Sequence, residues 1–156
     1  MKEYVNEILT FEKTDDYSGS FIEERNIRVE GVEDEDITAS FVAHSRVNGT
    51  WEVMVGDLYL KYQLSTLRVS VDGESAKFNY ASPIYEMKKY SYWAATLRNP
   101  EIDFVEALRK DVYSSLFDDY QEITREDLPF TDLSINENIM TMKTGDSEIM
   151  TYQRMQ

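Results

Sequence analysis

The carboxylates are the residues of this chain that could do chemistry, since aspartate and glutamate number 30 against 16 lysines and arginines. Carboxylate oxygens act as general acids or bases, ligate Mg²⁺ or Ca²⁺, or bind the cations of another protein. The densest run, residues 33–36, lacks EF-hand spacing, and successive side chains of an extended segment point to opposite sides. A glycosidase needs just two suitably spaced carboxylates, so this signal has no specificity among 30 acids.

Other catalytic and cofactor-binding residues are scarce. His44 is the only histidine, and no cysteine is present to act as a nucleophile or a zinc ligand. The sequence has no nucleophile elbow, no phosphate-binding G-x-x-x-x-G-K-[ST] loop and no G-x-G-x-x-G fingerprint. We therefore expect no enzymatic activity, no metal site and no cofactor.

The remaining signal is a mixture of acids and aromatic residues near the end of a predicted helix. Its acids are Asp111, Asp118, Asp119, Glu122, Glu126 and Asp127, and its aromatic residues are Tyr113, Phe117 and Tyr120. Carboxylates spaced along a helix offer a basic groove much of what a row of phosphates offers, and tyrosines add contact area at low entropy cost. A helix face that is merely solvated explains the same pattern equally well.

Charge is unevenly distributed along the chain, whose net charge is −14 and pI about 4.4. Residues 1–36 carry −8, residues 37–99 carry +2, residues 100–127 carry −6 and residues 128–156 carry −2. This balance disfavours direct binding to nucleic acid or anionic lipid and favours a basic partner. The alternative is that the acid only keeps the protein soluble.

Length and composition predict one globular domain over residues 1–156. Apolar residues make up 42% and aromatic residues 13% of the chain, as in a packed globule. The lack of cysteine fits the reducing cytoplasm. No secretory signal or membrane-spanning apolar run is present, so we expect a soluble cytoplasmic protein.

The first part of the chain alternates between predicted helix, turn and strand. Apolar spacing predicts a short helix over residues 3–11, turn residues occupy 14–20, and period-two alternation predicts a strand over 22–32. Residues 33–36 are expected to connect this strand to the next.

Two tight turns are predicted in an antiparallel meander. Asn48-Gly49 separates strands 37–47 and 50–55, which would place Arg46 opposite Trp51 and His44 opposite Val53. Alternation over 58–64 predicts a further strand with one buried face. The second turn, Asp72-Gly73, would pair Val69 with Ala76 and Leu67 with Phe78.

Two consecutive helices follow, each opened by a cap and a proline. Ser82-Pro83 and Asn99-Pro100 predict helices over 83–98 and 100–121. The second should bury Val105, Leu108, Val112 and Leu116, with Glu106 and Lys110 paired on its flank.

A C-terminal hairpin closes the chain. Its strands, 134–144 and 147–154, flank Gly145-Asp146, which sets Lys143 opposite Glu148 and Glu137 opposite Arg154. The methionines Met140, Met142, Met150 and Met155 cluster in this hairpin, either as core or as an adaptable partner surface. The core interpretation is favoured.

The predicted fold is α+β, with an antiparallel sheet of about six or seven strands, free to curl around two helices.

The predicted function is that of a non-enzymatic acidic protein that inhibits a basic partner, such as a nuclease or another nucleic-acid-acting protein. Viral anti-defence inhibitors and toxin-immunity proteins have this character. The alternative is a small-molecule binder whose sheet cavity is lined by Tyr59, Tyr62, Phe78 and Tyr80. Strand order and oligomeric state stay open.

Overall fold

The computed structural model describes residues 1–34, 37–81, 87, 99–127 and 129–155. Within these ranges the chain forms seven strands and one helix with described bounds. The strands are β1 (Lys2–Lys13), β2 (Ser18–Asp34), β3 (Ile37–Met54), β4 (Asp57–Tyr80), β5 (Pro129–Asn136), β6 (Ile139–Lys143) and β7 (Ile149–Gln153), and the helix α1 is Pro100–Glu126.

The seven strands form one sheet in the order β1-β2-β3-β4-β5-β6-β7, so the predicted antiparallel meander is confirmed. The two-helix α+β class is not matched, because the described residues are mostly β. The first predicted helix, 83–98, lies outside the described residues except for Met87, which is helical. Four long strands instead take most of the first 80 residues.

Residues 3–11 do not form the predicted helix, because they lie in β1. Glu7 and Leu9, two residues apart, are the more buried positions of this strand, whereas Tyr4, Val5, Ile8 and Phe11 stay exposed. The apolar residues that suggested helical spacing therefore do not share one buried face. The expected turn at 14–20 is confirmed over its first part, where Asp15 accepts a hydrogen bond from the Tyr17 backbone N–H at 2.8 Å.

The predicted Asn48-Gly49 turn is wrong, because both residues lie inside β3. A Cβ on Gly49 would clash with the backbone oxygen of Lys61 and lie 2.5 Å from a ring carbon of Phe21. Gly49 is therefore needed for a close approach of backbone and ring, and not for a left-handed φ.

The turn between β3 and β4 falls instead at Val55 and Gly56, whose φ angles are 53° and 80°. Two positive φ angles are typical of the type I′ turn that matches strand twist. The two cross-strand pairs predicted around Asn48-Gly49 are wrong for the same reason. Their members, Arg46, Trp51, His44 and Val53, all belong to β3.

The predicted Asp72-Gly73 turn is also wrong, because β4 continues through it. The strand is irregular here, since the Ser75 hydroxyl accepts the backbone N–H of Val42 at 2.9 Å and donates to the Asp72 carbonyl at 2.7 Å. A hydroxyl that accepts a backbone N–H of the neighbouring strand takes the place of a carbonyl in the hydrogen-bond ladder. The expected pairs Val69–Ala76 and Leu67–Phe78 therefore do not form, because one strand holds all four residues.

The C-terminal hairpin forms, but with a different register and an added turn. Residues 134–144 are divided between β5 and β6 by a turn at Glu137 and Asn138. Lys143 pairs with Ile149 rather than Glu148, because five residues, 144–148, separate β6 from β7 and the left-handed position of this loop is Ser147, φ 62°. A register change of one residue reverses the faces, so both predicted charge pairs are wrong.

The helix α1 confirms the second helical prediction and extends it to Glu126. Asn99 is its N-cap, since its side-chain oxygen accepts the Glu101 backbone N–H at 2.9 Å. Pro100 follows at the first helical position, where its missing N–H has no intrahelical acceptor to lose.

The chain divides into two compact units. Unit 1 contains residues 1–8, 23–46 and 67–116, and unit 2 contains residues 9–22, 47–66 and 117–156. In unit 1 the core consists of Ile27, Val29, Ala39, Phe41, Ala43, Leu67, Phe104, Leu108 and Leu116. Glu23 is also buried there, with its carboxylate 3.5 Å from the Arg25 guanidinium.

Unit 2 is organised around aromatic rings that contact one another in series. Phe11 packs against Trp51 and Phe21, Phe21 packs edge-on against Tyr62, and Tyr62 stacks on Tyr120 at 4.2 Å. These contacts join β1, β2, β3 and β4 to the end of α1. Met142 is also buried in unit 2, which confirms the core interpretation for that methionine, whereas Met155 is exposed.

Candidate protein-binding surface

The buried residues of α1 follow a row of four-residue steps. Phe104, Leu108, Leu116 and Tyr120 are buried on this row, whereas Val105 and Val112, expected in the core, are only half-buried. A step of four residues advances about 40° around the axis, so the buried stripe winds along the helix. The last two turns consequently bury the side of Tyr120 and expose the opposite side.

Asp118, Glu122 and Glu126 lie on or near that opposite side, Asp119 lies about 100° from Tyr120, and Asp127 follows the end of the helix. The acidic face, as we name it, consists of the exposed unit 2 residues Asp118, Asp119, Glu122, Glu126 and Asp127. Glu122 lies about 200° around the axis from Tyr120, and four-residue steps relate Asp118 to Glu122 and Glu122 to Glu126. Asp111, seven residues before Asp118, is exposed on the same helix but belongs to unit 1.

The acidic face is barely neutralised by the described residues. Asp118, Asp119, Glu122 and Glu126 form no ion pair or hydrogen bond with them, and Asp127 lies 3.9 Å from the Lys61 ammonium. Like charges four residues apart destabilise a helix by about 0.2–0.5 kcal/mol per pair. Repulsion within this row of carboxylates therefore lowers helix stability only slightly, and the row keeps its negative field.

The aromatic residues proposed as contacts differ in accessibility. Tyr113 and Phe117 are half-buried, and only part of each ring is open to a partner. Tyr120 is 1% exposed and stacks on Tyr62, so its ring lies in the core and not on the acidic face. The tyrosine spacing alone did not reveal this, because Tyr62 comes from a distant strand.

A bidentate ion pair lies earlier on α1. Glu106 accepts two hydrogen bonds from the Arg109 guanidinium, at 2.7 and 2.9 Å, rather than pairing with Lys110 as predicted. These bonds lower the pKa of the Glu106 carboxyl and raise the pKa of Arg109. This pair neutralises its acid, in contrast with the acidic face.

A groove of about 280 Å³ lies in unit 2 beside the end of α1. Its walls come from the outward side of the β3–β4 hairpin, the β1–β2 turn and the residue that follows α1. Its lining includes Thr50, Glu52, Met54, Tyr59, Lys61 and Asp127. Asp127 has a left-handed φ of 53°, the conformation that ends many helices, and it belongs to both the groove and the acidic face.

Of the four aromatic residues proposed to line a ligand cavity, one lines this groove of the described residues. Tyr59 lines the groove, but Tyr62 is buried in the aromatic series of unit 2. Phe78 packs against Phe104, and the Tyr80 hydroxyl donates to the Glu101 carboxylate, both within unit 1. Sequence analysis missed Glu52 and Lys61 as groove residues, because the misplaced turn hid the hairpin that brings them together.

The other candidate chemistries gain no support from the described residues. His44 is exposed on β3, and the described part of the chain contains no group of three or more metal-ligating side chains. Across the described ranges, no helix has the length and apolarity that crossing a membrane requires.

Comparison with protein-family models, with curated proteins and with solved structures found no match to this chain.

Proposed function

We propose that this chain is a non-enzymatic cytoplasmic binding protein whose acidic face docks on a basic partner and inhibits it. The observation that carries the proposal is the row of exposed carboxylates on the last turns of α1, where Asp118, Asp119, Glu122 and Glu126 form no ion pair with a described residue. A basic surface that normally holds phosphates would find a comparable spacing of negative charge there. A nuclease or another nucleic-acid-acting protein has such a surface.

The rigid setting of the row supports the same proposal. Tyr120 anchors this part of the helix by stacking on Tyr62, and the Thr124 hydroxyl accepts the Tyr62 backbone N–H at 2.9 Å. Side chains held on a packed helix present their charges with little further loss of entropy on binding. Opposite charge across an interface also steers encounter and raises the association rate.

The groove supports the small-molecule alternative less well than protein recognition. Tyr62, Phe78 and Tyr80 are engaged in internal contacts, and only Tyr59 of the original four lines the groove. We therefore favour protein recognition.

A capture experiment tests the proposal with three tagged proteins in extract of the source cells. The first is wild type, and the second is the face variant Asp118→Asn, Asp119→Asn, Glu122→Gln. The third is a control, Glu3→Gln, Glu24→Gln, Glu74→Gln, whose three acids are exposed in unit 1. Both variants change the net charge equally, so only the location of the charge differs.

Mass spectrometry should find a basic protein captured by wild type and by the control but lost with the face variant. If the captured protein docks through its own nucleic-acid-binding surface, free DNA or RNA should displace it. Equal capture by all three proteins would remove the acidic face from the account.

A further inference from the structure

The groove of unit 2 differs from the acidic face in being concave and mixed in chemistry. It combines the Glu52 and Asp127 carboxylates with the Lys61 ammonium, the half-buried ring of Tyr59 and the hydroxyl of Thr50. Resting on the function proposed above, we propose that this groove binds the guanidinium of an arginine side chain from the basic partner. The acidic face would then attract the partner, and the groove would fix one of its side chains.

Charge favours a cation over an anion or a neutral ligand. Two carboxylates outnumber the single ammonium, and the Lys61–Asp127 pair is loose, at 3.9 Å with both side chains more than half exposed. Such exposed pairs contribute little stability, because water screens them and both side chains lose freedom. An incoming guanidinium can therefore replace Lys61 beside Asp127.

The chemistry of the walls favours arginine over lysine. A guanidinium is planar, binds carboxylates through two parallel N–H groups and stacks on aromatic rings, whereas an ammonium is a compact, strongly hydrated charge. Tyr59 supplies the ring, Glu52 and Asp127 supply carboxylates, and Thr50 supplies a further oxygen acceptor. An arginine on the basic partner also lies within reach, because Asp127 belongs to the groove and to the acidic face.

The groove is held in shape by a close packing of β1, β2 and β3. The Trp51 indole N–H donates to the Glu12 carbonyl at 3.0 Å, and a Cβ on Gly19 would clash with that carbonyl and lie 2.7 Å from the indole nitrogen. Trp51 and Gly19 both line the groove. The part of the groove that Trp51 and Gly19 form is therefore closely packed before any ligand arrives.

The test is an NMR titration of the full chain with the small probe N-acetyl-arginine amide. The matched probes are the citrulline analogue, which has nearly the same shape without charge, and the lysine analogue. We expect saturable shifts at the Trp51 indole and Tyr59 with the arginine probe, weaker binding of the lysine probe and none of the citrulline probe. Equal response to arginine and citrulline probes would overturn the proposal, and this comparison needs no variant.

Substitutions then assign the carboxylates. Glu52→Gln and Asp127→Asn should each weaken arginine binding about tenfold, since each removes a charged hydrogen-bond acceptor, whereas Lys61→Gln should strengthen it. Asparagine tolerates the left-handed φ of position 127, so this change tests charge alone. Asp146→Asn, an exposed acid of unit 2 outside both the groove and the acidic face, is the control and should leave binding within about twofold.

Unchanged affinity in Glu52→Gln and Asp127→Asn would contradict the arginine site. That failure is distinct from failure of the proposed function, because capture of a basic protein depends on Asp118, Asp119 and Glu122. If the basic protein is still captured but arginine does not bind, partner binding by the acidic face is supported and the arginine site is contradicted. If arginine binds in the groove but the face variant captures the basic protein normally, the arginine site is supported and partner binding by the acidic face is contradicted.

Discussion

Gly49 and Gly73 illustrate how the surroundings of a glycine decide its role. Both follow a residue typical of turns, and both lie inside long strands. A Cβ on Gly49 would meet the Lys61 backbone and the Phe21 ring, whereas a Cβ on Gly73 would have no neighbour within 4 Å. The same substitution should therefore have different effects at the two positions.

We expect Gly49→Ala to lower the free energy of unfolding by about 1–3 kcal/mol, the usual effect of overpacking. Gly73→Ala is the matched control and should be neutral or stabilising by up to about 1 kcal/mol, because it restricts the unfolded chain without a clash. Urea unfolding of both variants and wild type provides the measurement. Equal destabilisation at the two positions would show that Gly73 has a structural role like that of Gly49.

Asp15 should titrate below its ordinary pKa of 3.8. The Tyr17 backbone N–H is the largest cause, followed by the Ser18 hydroxyl, and both stabilise the carboxylate. Because the folded pKa is lowered, this stabilisation is complete above the unfolded pKa and is lost as pH falls through the folded value. A carboxyl ¹³C NMR titration measures it directly.

Ser18→Ala is the control for this titration, since it removes the hydroxyl donor to the Asp15 carboxylate. The Asp15 pKa should move back toward its ordinary value in this variant. An unchanged pKa would mean that the Ser18 hydroxyl does not hold the carboxylate in solution.

At the scale of the element, the Asn99 side chain, which precedes α1, satisfies one of the N-terminal amides of the helix. Asn99→Ala should lower the free energy of unfolding by about 1 kcal/mol, because the Glu101 N–H loses its acceptor. Asn99→Asp keeps an acceptor and adds a charge that favours the helix N-terminus, so it should be at least as stable as wild type. Thermal unfolding of the two variants measures this difference. Equal melting temperatures for Asn99→Ala and Asn99→Asp would contradict the capping role of Asn99.

The same cap explains why the sequence predicts α1 well. Asn99, Pro100 and the four-residue apolar spacing are local signals, and local signals suffice for a helix. The turn predicted at Asn48-Gly49 did not form, because tertiary contacts outweigh the local turn preference of this pair. Gly49 faces Phe21 and Lys61 across the sheet, and neither contact can be read from an Asn-Gly pair.

The actual turn between β3 and β4 gives little signal, since Val55 is a strand-forming residue that here adopts a positive φ. The acidic face could be predicted because its acids lie off the apolar stripe. The position of Tyr120 and the groove depends on strand pairing, which a single sequence does not specify.

On the scale of the whole molecule, negative charge is concentrated in unit 2. That unit has 14 acids and five lysines and arginines, a net charge of −9, whereas unit 1 has 16 acids and 11 bases, a net charge of −5. The unit with the acidic face and the groove is therefore also the more negative one. A field of this sign concentrates basic partners before contact, and salt weakens it over a screening length of about 8 Å in physiological buffer.

The most direct test of the central claim is the association rate of the captured partner with wild type, the face variant and the charge-matched control, each at low and high salt. Circular dichroism first verifies that all three are folded, since exposed substitutions usually change stability by less than about 0.5 kcal/mol. We expect wild type and control to associate rapidly with the partner at low salt and more slowly as salt rises. The face variant should associate slowly at both. Equal rates for all three proteins, with no dependence of the wild-type rate on salt, would contradict recognition through the acidic face.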